Sequence, residues 1–174
     1  VQKLLESGAT VHILAPPATA PVAERMPGIE AVHRIDVQHG QISLGERLSV
    51  GRSLRRYDFS RAIVLPNSFK AALVPWLARI PVRTGWRGEW RYGLLNDLRR
   101  LKVSAYPSMI ERFVALTGGR NGRLVRPRLE VDPSKLQGLR RKFGLGKIKS
   151  VIALCPGAAF GPAKRWPANH FAVV

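Results

Sequence analysis

Short apolar runs alternate with longer amphipathic runs along most of the chain. The short runs predict strands, and the longer runs, whose apolar positions recur every three or four residues, predict helices. The predicted strands cover residues 10–15, 30–35, 61–66, 82–86 and 150–156. The predicted helices between them cover residues 19–26, 44–56, 68–79 and 107–117. This alternation is typical of a doubly wound α/β fold, in which helices cover both faces of a mostly parallel sheet.

Both ends of the sequence resemble interrupted elements. The opening VQKLLESGATVHILAPP predicts the last turns of a helix, a stop at Gly8 and then a strand, and it has none of the features of a signal peptide. The final ANHFAVV lies within a predicted helix. We therefore expect the chain to be an internal piece of a longer protein. No apolar stretch approaches the roughly 18 residues that span a bilayer.

The composition changes after the fourth predicted helix. Residues 118–149 are strongly basic with weak periodicity, which favours an interdomain linker carrying one short helix near 133–143. A fresh apolar strand follows. The sequence therefore predicts one domain with its linker over residues 1–145 and the beginning of a second over residues 146–174.

The chain is markedly basic, with 29 Lys and Arg against 11 acidic residues and a formal charge of +18. Such an excess favours polyanionic partners, namely nucleic acid, an anionic membrane surface or phosphorylated substrates. An arginine-rich genome would also raise the net charge without any function. The charge alone therefore does not show which of these partners, if any, the protein binds. A basic nucleic-acid-binding module is the main alternative function. A membrane-surface adaptor would need a basic amphipathic helix, which the sequence does not show.

The segment after the third predicted strand has features of an anion site. Ligands of doubly wound sheets bind beyond the carboxyl ends of the strands, at helix N-termini. Asn67 or Ser68 can cap the next helix, whose first turn carries Lys70. A capped helix with a solvated lysine is the alternative. Residues 81–102 then interleave arginines with Trp86, Trp90 and Tyr92, a mixture suited to phosphate, carboxylate and flat rings or to a solvated loop with core aromatics.

Other chemistry has little support in the sequence. His12, His33, His39 and His170 are far apart and lack metal-ligand spacing with a Cys or an acid. The single cysteine, Cys155, is expected to be a small buried residue on the last predicted strand, in a reducing compartment. The dinucleotide fingerprint, the P-loop and the nucleophile elbow are absent.

A second candidate loop, SVIALCPGAAFGPAKRWP, lies near the end of the chain. The strand is predicted to end at Pro156, and Gly157 and Gly161 allow the backbone to turn tightly and approach a ligand. Pro167 is predicted to start the next helix, with Lys164 at its mouth. Backbone N–H groups with one ammonium favour a phosphate or a diphosphate.

Two long motifs carry a resemblance to a known family. CPGAAFGPAKRWP, together with LPNSFKAALVPWLARIPVRTGWRGEWRYGLLND at residues 65–97, resembles the bacterial lipopolysaccharide heptosyltransferases of glycosyltransferase family nine, over nearly the whole chain. The resemblance implies a GT-B architecture of two Rossmann-like domains. It also implies transfer of heptose from ADP-heptose to an inner-core heptose on Kdo-lipid A, with inversion and without metal or cofactor. Such an enzyme would be cytoplasmic and peripheral on the inner membrane, with no specific nucleic acid partner.

The resemblance also implies roles for particular residues. Lys164 matches the family's diphosphate-binding lysine, with Gly157, Ala158 and Ala159 supplying backbone around the nucleotide sugar. Trp166 is expected to fix this loop rather than touch substrate. The acceptor side of the site is implied for Asn67, Ser68, Lys70, Arg83, Arg87 and Arg91.

The sequence departs from the family pattern in two places. Ala159 stands where the family usually has Glu, which removes one polar contact from the nucleotide loop. The family's first strand and its Gly-Asp turn, which supplies the catalytic base, would precede Val1, and we expect Glu89 to be an ion-pair partner of Arg87 or Arg91 rather than a substitute base. These 174 residues are therefore expected to be inactive alone, and to be poorly soluble or oligomeric because a central strand is missing.

Overall fold

The computed structural model describes residues 1–37, 40–118, 126–146, 150–155, 157–158 and 162–173. They belong to two compact units, Val1–Glu130 and Val131–Val174. The domain boundary predicted near residue 145 stays a prediction.

The first unit alternates strands with helices, as the hydrophobic pattern predicts. Its strands are β1 Val11–Ala15, β2 Ile29–Arg34, β3 Arg61–Val64, β4 Val82–Trp86 and β5 Asp97–Arg99. Its helices are α1 Gln2–Glu6, α2 Ala20–Ala23, α3 Leu44–Leu54, α4 Phe69–Leu77 and α5 Met109–Leu116. Short 3₁₀ turns cover Arg55–Tyr57 and Val103–Ala105. The predicted elements of this unit are confirmed, although α2 is shorter than expected and β5, with the sequence DLR, has no apolar pattern that could have announced it.

The strand pairs that the structure describes in the first unit are parallel. β1 pairs with β2, with Val11 opposite Ile29, and β3, β4 and β5 form a second sheet in that order. The sheet is thus in two parts rather than continuous. Among the described residues, β1 and β3 each have one hydrogen-bonded neighbour, so each leaves one edge unpaired.

Helices α3 and α4 pack closely beside the second sheet. A Cβ placed on Gly51 of α3 would lie 2.6 Å from the Leu77 Cβ, so this crossing requires glycine. One arginine in α3 and one directly after it hold the neighbouring helix α4. Buried Arg47 donates to the Lys70 carbonyl at 2.9 Å, and Arg55 donates to the Leu77 carbonyl at 2.8 and 3.0 Å. A cation at the end of α4 also complements the helix dipole.

The core of the first unit lies where these helices meet the strands. Its largest buried cluster contains Ile35, Leu54, Val74, Ala78 and Ile80. A smaller cluster contains Val64, Ala72 and Leu95, under the carboxyl end of β3. The two clusters fix α4, and therefore the loop that precedes it, against the sheet.

Hydrogen bonds of its side chains hold strand β5 in place. The Asp97 carboxylate accepts hydrogen bonds from the Thr84 hydroxyl at 2.9 Å and from Arg99 at 2.6 and 3.0 Å. Arg99 also donates to the Ala115 carbonyl at 2.9 Å, which joins β5 to the end of α5. Hydrogen bonds from Arg99 are the main reason that the pKa of Asp97 is lowered from its ordinary value.

The described part of the second unit contains two helices, α6 Pro133–Lys142 and α7 Ala168–Phe171, and a 3₁₀ turn at Pro162–Lys164. The helix predicted at 133–143 is confirmed. Asp132 caps it by accepting the Ser134 N–H at 3.0 Å. Pro167 stands at the N-cap of α7, which agrees with the predicted helix start.

The strand predicted at 150–156 is wrong for the residues that the structure describes. Residues 150–155 have no regular secondary structure, and Pro156 lies outside the described residues. Ile152 is 88% exposed. A strand needs a hydrogen-bonding neighbour, and the described part of this unit contains no other strand. For the same reason Cys155 is exposed, contrary to the buried position expected for it.

Candidate substrate-binding site

The loops that follow β3 and β4 lie against each other at the carboxyl edge of the second sheet. The Glu89 N–H donates to the Asn67 carbonyl at 3.3 Å. A Cβ on Gly88 would lie 2.5 Å from that same carbonyl oxygen, so only glycine permits this approach. The segment that carries the predicted acceptor residues is therefore positioned by direct backbone contact.

Arg91 joins these two loops from inside. Its side chain is fully buried, and it donates to the Pro66 carbonyl at 2.6 Å, to the Asn67 side-chain oxygen at 3.3 Å and to the Trp86 carbonyl. Burial lowers the pKa of Arg91, and the nearby Glu89 charge partly opposes that effect. Arg91 thus holds the loops and orients Asn67. Its predicted role in acceptor binding stays a prediction.

Arg83 also binds backbone rather than facing the edge of the sheet. Its guanidinium donates to the Leu94 and Ile80 carbonyls, both at 2.6 Å. Arg83 is the second residue of β4, near the amino end of the strand. The structure therefore does not bring Arg83 together with the loops at the carboxyl edge.

Helix α4 is capped by Glu89, which the sequence predicted to be an ion-pair partner of an arginine. Ser68 stands at the N-cap, but its side chain makes no capping hydrogen bond. The Glu89 carboxylate accepts the Phe69 N–H at 2.8 Å instead. Ser68 thus occupies the predicted N-cap position, but a capping hydrogen bond accepted by the side chain of Asn67 or Ser68 is wrong. So is the expected ion pair of Glu89, since no cation lies within ion-pair distance of it in the described residues.

Lys70 lies on the segment after β3, and Arg87 lies on the segment after β4. Lys70 is half-buried in the first turn of α4, and its carbonyl accepts the hydrogen bond from Arg47. Arg87 follows β4 directly, is exposed, and places its guanidinium 5.7 Å from the centre of the Tyr92 ring. Of the predicted acceptor residues, Asn67 and Arg91 are joined by a hydrogen bond, whereas Ser68, Lys70 and Arg87 lie on the segments that follow β3 and β4.

The aromatic residues of this stretch divide into two groups. Trp86 is 5% exposed and belongs to the interior, whereas Trp90 is 84% exposed and Tyr92 is 55% exposed. The indole Nε1 of Trp86 is buried and has no hydrogen-bond partner. Neither of the alternatives left open by the sequence holds for the whole stretch.

Two cavities border the same edge, and the buried Trp86 ring contributes to both. One, of about 390 Å³, is lined mainly by apolar groups, together with Asn67 and Arg112. The other, of about 320 Å³, is lined by Trp86, Arg99, Arg100, Tyr106, Ala115 and Gly118. The sequence predicted helix α5, which supplies Arg112, but nothing in its pattern indicated that it lies beside the ends of β3 and β4.

The predicted nucleotide-binding residues lie in the second unit. Lys164 ends the 3₁₀ turn Pro162–Lys164. Gly157 is exposed and Ala158 is half-buried, whereas Ala159 lies outside the described residues. Trp166 packs its ring edge-on against Phe171 at 4.7 Å and His170 at 5.6 Å, as expected of a residue that fixes the start of α7.

Within the described ranges, no three or more His, Cys, Asp or Glu side chains come together as they would to hold a metal ion. In the same ranges, no helix combines the length and the apolar character needed to cross a membrane.

Known proteins resemble this chain in sequence. The model of glycosyltransferase family 9 (heptosyltransferase) matches residues 47–174. Lipopolysaccharide heptosyltransferase 2 of Escherichia coli K12 is 44% identical over 94% of this chain and 50% of its own length. Lipooligosaccharide heptosyltransferase 2 of Haemophilus influenzae is 40% identical over 98% of this chain and 52% of its own length. The chain thus spans about half the length of the curated relatives it matches.

Solved structures agree with these relatives. The structure of E. coli ADP-heptose LPS heptosyltransferase II superposes with a TM-score of 0.84 at 40% identity, over 98% of this chain and 53% of that one. A family 9 glycosyltransferase from Veillonella parvula superposes with a TM-score of 0.77 at 18% identity over 98% of this chain and 52% of its own, which shows the fold alone. The predicted Rossmann-like α/β class of a GT-B glycosyltransferase is confirmed. The chain belongs to glycosyltransferase family 9, the heptosyltransferase family.

Proposed function

We propose that the whole protein containing this chain transfers L-glycero-D-manno-heptose from ADP-heptose to the inner-core heptose of lipopolysaccharide. The observation that carries this proposal is the 44% identity to lipopolysaccharide heptosyltransferase 2 over 94% of the chain. The match to the family model, over residues 47–174, extends through both candidate loops. The acceptor is a heptose on Kdo-lipid A, and the enzyme works at the inner face of the inner membrane as a peripheral protein.

The two candidate loops divide the substrates between them. The exposed Arg87, with Lys70 and Asn67, faces the phosphorylated and carboxylated saccharide, because guanidinium and ammonium groups pair with such anions. Lys164, with the backbone of residues 157–159, binds the diphosphate of ADP-heptose. Cations at the diphosphate stabilise the charge of the departing nucleotide.

Transfer proceeds with inversion and needs neither metal nor cofactor. The acceptor hydroxyl attacks the anomeric carbon as the bond to ADP breaks, and a carboxylate takes the hydroxyl proton. Glu89 is the acidic residue of the loop that follows β4, but its carboxylate already accepts a hydrogen bond at the N-terminus of α4. We assign the base to a residue outside this chain, so that residues 1–174 alone are inactive.

The experiment uses the whole protein with ADP-heptose and a Kdo-lipid A acceptor that carries one heptose. Mass spectrometry should show the addition of one heptose, at a rate that a metal chelator does not change. Lys164→Ala should lower kcat/KM by about 100-fold or more, the range for one lost group that stabilises transition-state charge. Lys135→Ala, a matched change at a side chain 72% exposed in the same unit, should retain activity.

The outcomes separate this function from the basic nucleic-acid-binding alternative. That alternative predicts tight binding of single-stranded DNA or RNA whose logarithmic affinity falls steeply with the logarithm of salt concentration. The transferase predicts thermal stabilisation by ADP and little by oligonucleotides. A whole protein that neither transfers heptose nor gives calorimetric heat with ADP or ADP-heptose would overturn the proposal.

A further inference from the structure

The side chain of Trp90 projects into solvent from a backbone that is fixed on both sides. It is 84% exposed, the most exposed Trp in the described part of the chain. The residue before it, Glu89, is bonded to Asn67 and Phe69, and the residue after it, Arg91, is fully buried. The indole is therefore presented from an anchored position.

A Trp in this exposed position contributes little to the stability of the fold. Burying a large apolar side chain stabilises a protein by roughly 1.5–3 kcal/mol, and an exposed one forgoes most of that gain. Single exposed apolar residues are common and need no explanation. Trp90 differs because its ring belongs to an ordered set of side chains at the carboxyl edge of the sheet.

Trp90, Tyr92 and Arg87 form what we call the aromatic platform. The Trp90 ring meets the Tyr92 ring edge-on, with 6.1 Å between their centres. The Arg87 guanidinium lies 5.7 Å from the centre of the same Tyr92 ring. Stacking of this kind holds a guanidinium in place while leaving its donors available to an anion.

The charge around the platform also selects its ligand. The one acid in this loop, Glu89, turns its carboxylate to the α4 N-terminus, so Arg87 supplies the charge beside the two rings. Flat aromatic faces suit the apolar faces of a sugar ring, and a guanidinium suits a phosphate or a carboxylate. The combination fits a sugar that carries an anionic group.

We propose that the aromatic platform binds a phosphorylated or carboxylated sugar of the acceptor, with Trp90 stacking on the ring and Arg87 pairing with the anion. This inference rests on the proposed function and specifies the acceptor side of its site. It makes Trp90 a residue that sets acceptor affinity, and it gives Trp90 no part in binding ADP-heptose.

The test measures steady-state kinetics of the whole protein with a deacylated, water-soluble acceptor. Trp90→Ala should raise the acceptor KM by about tenfold and leave the KM for ADP-heptose within about twofold, whereas Trp90→Phe should restore most of the acceptor affinity. Trp76→Ala is the matched control. Trp76 is 48% exposed on α4, outside the platform, and its loss should leave both KM values unchanged.

A second measurement does not depend on turnover. Titration of the phosphorylated core saccharide into wild-type protein should give a binding isotherm that Trp90→Ala weakens by about tenfold. The difference in acrylamide quenching between wild type and Trp90→Phe should show that Trp90 is accessible without ligand and is shielded by the saccharide. Because this readout is binding, it tests the platform even if the protein transfers no heptose.

Three results would overturn the inference. The first is an acceptor KM or saccharide affinity that changes by less than twofold in Trp90→Ala. The second is a Trp90 that is already shielded in the ligand-free whole protein. The third is a defect seen with acceptor in anionic vesicles but absent with the soluble acceptor, which would assign Trp90 to the membrane surface. An inactive wild type that still binds the saccharide through Trp90 would overturn the transfer reaction instead.

Discussion

The Glu89 carboxylate accepts a hydrogen bond from the Phe69 N–H at 2.8 Å, which joins the loop after β4 to the first turn of α4. This contact replaces the side-chain cap that Ser68 does not make. A carboxylate at a helix N-terminus also interacts favourably with the helix dipole. One acid therefore fixes both the start of α4 and the loop that carries Trp90.

The cap predicts unequal effects at three residues. Glu89→Ala should lower the free energy of unfolding by about 1–2 kcal/mol, the range for loss of a helix cap. Ser68→Ala should change it by less than about 0.5 kcal/mol, since that side chain caps nothing. Ser108→Ala is the positive control and should cost about 1 kcal/mol, because Ser108 and Glu111 form a capping box on α5. Urea unfolding of the three variants measures these free energies. Equal losses of stability in Ser68→Ala and Glu89→Ala would contradict the assignment of Glu89 as the cap.

Removing Arg91 should destabilise the protein more than any surface change. Arg91→Ala leaves the Pro66 and Trp86 carbonyls without their buried donor, and each lost partner costs about 1–3 kcal/mol. We expect a total loss of about 3 kcal/mol or more, and a similar loss for Arg91→Lys, whose ammonium lacks the guanidinium fork. The exposed Arg87 offers the control, for which Arg87→Ala should lie within about 0.5 kcal/mol of wild type. Thermal and urea unfolding measure both variants. Equal losses of stability in Arg91→Ala and Arg87→Ala would refute the structural role of Arg91.

The α3–α4 contact predicts opposite signs for two glycines of one helix. Gly51→Ala places a Cβ 2.6 Å from Leu77 and should cost about 1–3 kcal/mol through overpacking. A Cβ on Gly45 meets no atom within 4 Å, so Gly45→Ala should stabilise the helix by about 0.5–1 kcal/mol. Unfolding curves of the two variants provide the comparison. A stabilising Gly51→Ala would show that the helices are not in close contact.

Acid should weaken the contribution of Asp97. Hydrogen bonds from Arg99 lower its pKa in the folded state, so this stabilisation is complete above the unfolded pKa of about 3.9 and is lost as the pH falls through the folded pKa. Asp97→Asn should therefore cost about 1 kcal/mol at pH 7, a modest value because the side chain is 33% exposed, and the difference should shrink below about pH 4. The control is Asp36→Asn at an exposed position. A pH-independent difference for Asp97→Asn would contradict the ion pair.

The charge of the chain takes on a different meaning once the contacts are known. Part of the arginine excess binds backbone carbonyls inside the first unit. Among the residues of this unit that the structure describes, six arginines donate in this way, namely Arg47, Arg55, Arg83, Arg91, Arg99 and Arg112. No sequence pattern distinguishes them from Arg87, because the difference lies in which carbonyls the fold brings within reach.

The dependence on what the fold brings within reach also explains why one predicted strand is wrong and why strand β5 was not predicted. The strand at 150–156 has the right apolar pattern, yet a strand exists only where a neighbour supplies hydrogen bonds, and the described part of its unit holds none. Strand β5 shows the converse, because three polar and apolar residues with no periodicity pair with β4 once the chain returns beside it.

The sequence by itself determined the order of strands and helices in the first unit, the parallel α/β class and the family, because hydrophobic periodicity and two long motifs are local properties of the chain. The tertiary structure decided what each polar side chain does. Asn67, Glu89, Arg83 and Arg91 lie in one motif, but only folding shows that Glu89 caps a helix and that Arg91 is buried beneath the loop displaying Trp90. Burial and hydrogen-bond partners depend on residues far apart along the chain, such as Arg91 and Pro66, which are 25 positions apart, and no local pattern encodes such distances.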